Sequence, residues 1–349
     1  MNETTNIADK LTEGSALSKE EFRLLIENYR DGALYARLKA AANKKKEEIF
    51  GNTVYIRALV EVSSYCANDC YYCGLRRSNT LAERYRLTKD EIIESCRIGY
   101  EAGFLTFVLQ GGEDAYLTDD FLVPLIKELK QKFPDCAVTI SLGERAKASY
   151  EKLKAAGADR YLLRHETANA EHYAKLHPRS QSLENRLRCL TDLREAGYQV
   201  GSGFMVGSPF QTPECLAEDM VFLQSFRPEM IGIGPFIPQK DTPFGKESAG
   251  SVELTLFMLC LLRLTLPKVL LPATTALGTL NGREEGLMCG ANVVMLNCSP
   301  KEVRKKYNIY DNKRITGEEA VEGLKAFRAT LQKLGLTAPP QRGDSPNFI

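Results

Sequence analysis

The chain has 349 residues, with 46 Lys plus Arg against 45 Asp plus Glu, 44% apolar residues and 26% charged ones. That length suits one large domain with terminal additions, and that balance suits a soluble protein with a sizeable core rather than a disordered chain. A net charge near zero leaves no global field to draw in nucleic acid or an acidic membrane, so an anionic ligand must be met by local charge.

The N-terminus, Met-Asn-Glu-Thr-Thr-Asn, has neither the basic start nor the apolar run of an export signal, which predicts a cytoplasmic protein. Residues 18–50 read as two helices placed to plug one end of the domain after them. From 54 to about 298, apolar β-branched runs alternate with longer amphipathic stretches. Strands are predicted over 54–62, 105–110, 137–142, 160–164, 200–206, 230–234, 269–272 and 292–296. Between them lie helical patterns, among them 88–102, 119–133, 182–196 and 213–226, several stopped by Gly. Thr88 and Glu91 have the spacing of a capping box.

The greasiest stretch, 254–271, is interrupted by Arg263, Pro267 and Lys268. It falls short of the ~20 apolar residues of a membrane span and predicts a buried helix followed by a strand. Eight strand–helix alternations predict an α/β fold, a (β/α)8 TIM-type barrel, with an open barrel of six units as the alternative. An N-terminal helical extension (1–50) precedes the barrel (51–300), and a C-terminal segment (301–349) follows it. In that segment 316–334 reads as a closing helix and 338–349 as a loose tail.

Ten cysteines without an export signal point to thiol or metal chemistry rather than disulfides. Cys66, Cys70 and Cys73 follow the first predicted strand, on the face where barrel active sites form. Three thiolates with no fourth nearby can hold three irons of a [4Fe-4S] cluster and leave one iron open. A zinc knuckle, the alternative, wants four ligands. The other seven, Cys96, Cys136, Cys189, Cys215, Cys260, Cys289 and Cys298, have no such spacing and suit core packing. His172 and His177 are five apart rather than four, so a histidine metal site is not expected.

Gly111 and Gly112 follow the second strand, where a backbone without side chains can approach a ligand or simply turn. Arg164 and Glu166 follow the fourth strand and Arg186 lies on the next helix; a guanidinium fork there can grip a carboxylate or join a rim salt bridge. Segments 201–207 and 232–238 close the fifth and sixth strands with small residues, bordering a ligand or packing strands closely.

The cysteine spacing, with Tyr72 just before the last cysteine, resembles the radical S-adenosylmethionine (SAM) superfamily. That resemblance implies a barrel of the radical SAM kind, a [4Fe-4S] cluster and SAM as cofactors, and one-electron cleavage of SAM to a 5′-deoxyadenosyl radical. It makes Cys66, Cys70 and Cys73 the metal ligands and catalytic centre. Gly111, Gly112 and Glu113 become the element that binds the SAM amino group, Glu166 the ribose acceptor and Arg186 the carboxylate grip; Tyr72, Met205 and Ile233 complete the cofactor site.

Residues 73–77, 84–86, 162–169, 232–238, 272–276 and 289–293 are similar, more narrowly, to the [FeFe]-hydrogenase maturase branch near biotin synthase, over about 20–310. This implies a role in H-cluster assembly on a sulfur-containing iron–cysteine precursor, an organometallic small molecule. It also implies transient contact with other maturases, a reductant such as flavodoxin or ferredoxin, and neither nucleic acid nor membrane as partner. Arg57, Arg164, Thr274, Thr275 and Tyr310 would line an internal cavity and hold an anionic substrate, packing being the alternative for the threonines. With no cysteine after Cys298, a single cluster is expected. Other readings are a methylornithine synthase-like enzyme acting on an amino acid, and a non-catalytic iron-sulfur carrier that needs no SAM-binding residues. Biotin synthase would require further inward-facing cysteines.

Overall fold

The structure, a computed structural model, describes residues 3–313 and 320–348. Three helices, α1 (Glu3–Thr12), α2 (Lys19–Glu27) and α3 (Gly32–Phe50), lead into β1 (Tyr55–Ser63). The chain then runs through α4 (Lys89–Glu101), β2 (Thr106–Gly111), α5 (Asp119–Lys132), β3 (Ala137–Ser141), α6 (Lys147–Ala155), β4 (Arg160–Leu162), α7 (Ala170–Leu176) and α8 (Leu183–Glu195). It continues with β5 (Gln199–Ser202), β6 (Met205–Val206), α9 (Pro213–Phe226), β7 (Met230–Ile231), β8 (Gly234–Pro235) and α10 (Val252–Thr265). Last come α11 (Thr275–Thr279), α12 (Arg283–Met288), β9 (Val293–Asn297), α13 (Lys301–Arg304) and α14 (Ala320–Lys333).

Helix starts are chemically marked. Ser18 with Glu21 and Thr88 with Glu91 form capping boxes, and the side chains of Asp31, Asn169, Ser182, Thr212 and Ser251 accept from free N–H groups of the first turn. The strands are buried on both faces, so they read as continuous apolar runs: eight of the nine residues of β1 are buried.

Seven parallel strands form one curled sheet in the order β7-β5-β4-β3-β2-β1-β9. Its two edges are joined through residues 270–272: Leu270 bridges Met230 on one side and Pro272 bridges Val293 on the other. The expected seventh strand is therefore present only as this short bridge, and it completes an eight-position ring of the TIM type. The expected fifth and sixth strands are each broken in two, giving a separate β6–β8 pair. The cause is local: a Cβ at Gly203 would lie 2.0 Å from the Gly232 oxygen, so the backbones cross too closely there for a continuous ladder.

The 254–271 stretch is α10, with ten of its fourteen residues buried, followed by the bridging segment. No helix among the described residues is long and apolar enough to cross a membrane.

Two expectations about the barrel's ends are corrected. The N-terminal helices do not plug it: α2 lies against α9 and α3 against α10, on its flank. The residues from 338 on, expected to be loose, seal the end where the strands begin. Arg160 on β4 donates to Asp344 Oδ1 (2.6 Å) and to the Arg342 oxygen (2.9 Å), Gln199 on β5 donates to Asp344 (2.8 Å), and Thr106 on β2 donates to the Arg342 oxygen (2.7 Å). Ser345 is fully buried. These strand starts are polar, and the tail supplies the partners that water would otherwise supply. Of the expected closing helix, residues 320–333 are helical as α14, and 316–319 lie outside the described residues.

Candidate active site

The loop from β1 to α4 carries the three cysteines and has almost no secondary structure of its own, so its shape depends on specific polar ties. Arg84 supplies the main one, donating to the carbonyls of Ser64, Leu75, Arg76 and Asn79 at 2.5–3.1 Å. Asp69 accepts from Arg76 (2.8 Å) and from Ser78. Arg86 grips Asp114 with two nitrogens (2.7 and 2.9 Å), and Ser63 Oγ donates to the same carboxylate (2.6 Å). Five donors on one fork matched to converging carbonyls is work a lysine cannot do.

Cys66, Cys70 and Cys73 are half-buried on this loop, while the other seven cysteines are buried. Burial pushes the Cys70 thiol up to about 12 and raises Cys66 and Cys73; for Cys70 and Cys73 the neighbouring thiols add to it. Three crowded thiolates call for a cationic partner. No group of three His, Cys, Asp or Glu among the described residues is placed to hold a single metal ion. Three thiols on one loop suit a cluster, in which each ligates a different iron.

Gly112 lies against this loop: a Cβ there would stand 2.5 Å from the Tyr65 oxygen, 2.6 Å from Cys66 Cβ and 3.0 Å from Cys66 Sγ. The Glu113 carboxylate accepts from Glu144 N at 2.9 Å and packs under Gly143, while its carbonyl accepts from Ala67 N at 2.8 Å. It ties the β2 and β3 loops to the cysteine loop. Burial raises its carboxyl.

Inside the ring is a cavity of about 300 Å³. Of the residues expected at the site, Gly111, Arg164, Glu166, Arg186, Thr274, Thr275 and Tyr310 line it. Arg57 does not. It shares the inward face of β1 with Leu59 and Glu61, but lies below them, fully buried, with Nη1 2.8 Å from Met230 Sδ and with Nε and Nη2 unpartnered. Burial, and then Arg160, holds its guanidinium well below the ordinary arginine range.

Tyr72 and Met205 meet away from that cavity, in a small apolar group with Leu176, Phe236 and Phe244; Tyr72 OH is 3.0 Å from His177 Nε2. The Ile233 side chain is in the main core, which leaves its backbone to face a ligand.

Arg186 donates to Glu144 Oε1 and to the Arg164 oxygen, both at 2.5 Å. Burial works against its charge, yet Tyr173 and Glu144 outweigh that and keep the guanidinium firmly protonated. Glu166 adopts φ 66°, a left-handed conformation that costs a non-glycine residue of order 1–2 kcal/mol. Its Oε2 lies 2.9 Å from Arg164 Nη2, but the two are poorly aligned: Arg164 Nε and Nη2 and Glu166 Oε2 have no hydrogen-bond partner. Buried and unsatisfied, these atoms are prepared for a polar ligand.

What holds that strained turn was not singled out from the sequence. His165 is fully buried, with Nδ1 2.9 Å from Ser202 Oγ and Nε2 3.1 Å from Asp219 Oδ1. Asp219 Oδ1 also accepts from Ala168 N at 2.6 Å. Burial drives both groups toward their neutral forms, pushing His165 down to about 3 and Asp219 well up. Glu61, Gln110, Tyr307 and Lys313 also line the cavity unannounced. Glu61 is fully buried, ion-paired with Lys313 and accepting from Asn297 (2.9 Å). An acid between Val60 and Val62 was the one available signal for it.

Comparison with known proteins agrees with this geometry. The model of the Radical SAM superfamily matches residues 60–223. The chain is 46% identical over 296 residues to the [FeFe] hydrogenase maturase subunit HydE of Thermotoga maritima, covering 84% of each. It is 30% identical over 335 residues to the 3-methylornithine synthase of Methanosarcina acetivorans, covering 95% of this chain and 93% of that one. The crystal structure of methylornithine synthase superposes with a TM-score of 0.84 at 28% identity, covering 95% of this chain and 97% of that one.

Proposed function

The chain belongs to the radical SAM superfamily, and on that premise we propose that it acts in [FeFe]-hydrogenase maturation, on a small iron-bound cysteine precursor held in the barrel cavity. It is a SAM-dependent iron-sulfur enzyme. The bound [4Fe-4S] cluster and SAM supply one electron that opens the sulfur–C5′ bond and a 5′-deoxyadenosyl radical confined to the barrel.

The protein's part is placement. Cys66, Cys70 and Cys73 hold the cluster, and Gly112 keeps the space beside Cys66 free. The Gly111–Gly112 backbone takes the SAM amino group, Arg186 its carboxylate, and Glu166 the ribose hydroxyls, with Tyr72, Met205 and the Ile233 backbone around the adenine. Glu113 positions rather than binds, since its carboxylate is already engaged.

The observation that carries the substrate reading is the Arg164 guanidinium in the cavity wall, whose Nε has no hydrogen-bond partner and whose Nη2 meets only a poorly aligned Glu166 carboxylate, with the Tyr310 hydroxyl on the same wall. They suit the carboxylate or cyanide of such a precursor. Thr274 Oγ1 caps α11 and sits opposite Gly234, so its role is structural, whereas Thr275 is left to line the cavity. A reductant and, transiently, the other maturases complete the reaction's needs.

Anaerobic reconstitution followed by EPR of the reduced protein, with and without SAM, tests the centre. A [4Fe-4S]+ signal that shifts with SAM, is lost in a Cys66→Ala/Cys70→Ala/Cys73→Ala variant, and accompanies 5′-deoxyadenosine formation is the expected result. A SAM-indifferent cluster points to a carrier and overturns the reading. The substrate is tested by supplying an iron–cysteine complex bearing CO and cyanide. The likeness to methylornithine synthase over nearly the whole chain favours an amino acid as the second reading, and turnover of a free amino acid instead of the complex decides for it.

A further inference from the structure

The segment between α7 and α8, residues 177–182, is tied to the cysteine loop twice. Tyr71 N donates to the Leu176 oxygen at 3.0 Å, and Tyr72 OH lies 3.0 Å from His177 Nε2. The direction of the second bond is fixed by the other ring nitrogen: His177 Nδ1 faces the Tyr173 oxygen at 3.0 Å and must carry the proton, so Nε2 accepts from Tyr72. The His177 ring is buried and stacked on Tyr173, with 4.0 Å between centroids. Beyond it, Gln181 N donates to the Pro178 oxygen at 2.9 Å, closing a turn, and Ser182 caps α8. The chain on either side of Gln181 is therefore held.

This places a side-chain amide on one of the three loop cysteines. Cys70 Sγ donates to Gln181 Oε1 at 3.3 Å, while Gln181 Nε2 is enclosed and has no hydrogen-bond partner. The Cys66 and Cys73 sulfurs meet backbone groups instead, at Asn68 and Glu113 and at Leu75. Tyr72 is the other polar side chain beside Cys70, but its single proton goes to His177. The observed arrangement suits a thiol. A cysteine bound to iron is a thiolate with no proton to give. An amide oxygen set against it repels, and Nε2 stays unpaired. Turning the amide half a revolution about its last bond exchanges the two atoms with almost no change of shape and brings an N–H onto the sulfur.

We propose that, with the cluster bound, Gln181 donates an N–H···S hydrogen bond from Nε2 to the Cys70 sulfur and thereby raises the cluster's reduction potential. The inference rests on the role given above to Cys70 as a cluster ligand. An added electron increases the negative charge on the sulfurs, so a donor stabilises the reduced cluster more than the oxidised one. Gln181 is thus a positioning residue that acts through Cys70. It eases reduction of the cluster and weakens, by the same amount, the drive for the electron to pass on to SAM. His177 and the 178–181 turn keep the donor within reach of the sulfur.

The test is an EPR-monitored redox titration of the anaerobically reconstituted protein, with photoreduced deazaflavin as reductant and iron content measured beside it, for wild type, Gln181→Leu and Gln181→Glu. The leucine keeps the bulk and removes the donor. The glutamate keeps the shape, accepts only, and adds a negative charge. The expected result is a lower potential in both variants, lowest in Gln181→Glu, with iron content preserved. For Gln181→Leu the reduction equilibrium should shift by roughly three- to tenfold, about 30–60 mV at 59 mV per tenfold for one electron. An unchanged or raised potential in either variant overturns the proposal. So does loss of the cluster in both, which would make Gln181 a support of the loop. The ligand role of Cys70 fails separately: a Cys70→Ala variant that keeps the wild-type signal and potential removes the premise and the inference with it.

Discussion

Adding one methyl group at Gly112 tests whether the glycine pair after β2 works by backbone freedom or by leaving space. The Gly112 backbone is outside the left-handed region, so alanine is conformationally tolerated, and the effect must come from contact. The new Cβ would stand 2.5 Å from the Tyr65 oxygen, 2.6 Å from Cys66 Cβ and 3.0 Å from Cys66 Sγ. Two of these atoms belong to a cluster ligand and one to backbone, so relief requires the loop to move by roughly 1 Å, and overpacking of this kind costs about 1–3 kcal/mol. Falling on the cluster-loaded, SAM-bound state, that corresponds to a roughly tenfold to hundredfold loss of SAM affinity, at about 1.4 kcal/mol per tenfold. Gly111→Ala is the control: its Cβ meets Leu142 Cδ2, a side-chain end that can yield, at 3.1 Å, and the Ser63 backbone oxygen at an ordinary contact distance of 3.4 Å. The assay is iron content plus a SAM titration of the reduced EPR signal for both variants. If Gly112→Ala binds iron and SAM as wild type does, or if Gly111→Ala is the more damaged, the steric reasoning is wrong.

Asp219→Ala should weaken SAM binding by about tenfold with iron content preserved, because His165 and Ala168 N lose the acceptor that holds the Glu166 turn, a loss of about 1–3 kcal/mol; an unaltered EPR titration would count against it. Asp344→Ala should lower stability by about 2 kcal/mol, less than the 3–5 kcal/mol of a fully buried broken pair because Asp344 is part-exposed. Urea midpoints measure this, and no shift would mean that the tail does not seal the barrel. Burial pushes His165 and His177 down to about 3, against about 6.5 in an unfolded chain. Between those values only the unfolded state takes up the protons, so stability falls with decreasing pH, by up to about 1.4 kcal/mol per unit for each histidine. The urea midpoint of the cluster-free protein should drop from pH 6.5 to 4.5, and a flat profile over that window would refute the burial argument.

Much of this was legible in the linear sequence because the relevant physics is local. Capping at Thr88 and Ser182, the two-sided apolar strands, the eight-fold alternation and the spacing of Cys66, Cys70 and Cys73 all act within a few residues of chain. So do Gly111, Glu166 and Arg186, since each follows a strand end that must face the same side of a parallel ring. Other features depend on residues far apart in sequence. Arg160 and Asp344 meet across 184 positions, and His165 and Asp219 across 54. Lys313 reaches Glu61 across 252. No periodicity announces such pairs, because a charged residue looks alike whether its partner is water or a distant carboxylate. Arg57 shows the limit from the other side: its strand and inward face were readable, but its depth below the cavity was set by where β1 lies in the ring. Local spacing can place a side chain on a face; only the closed barrel decides which buried charges are brought together and which are left free for a ligand.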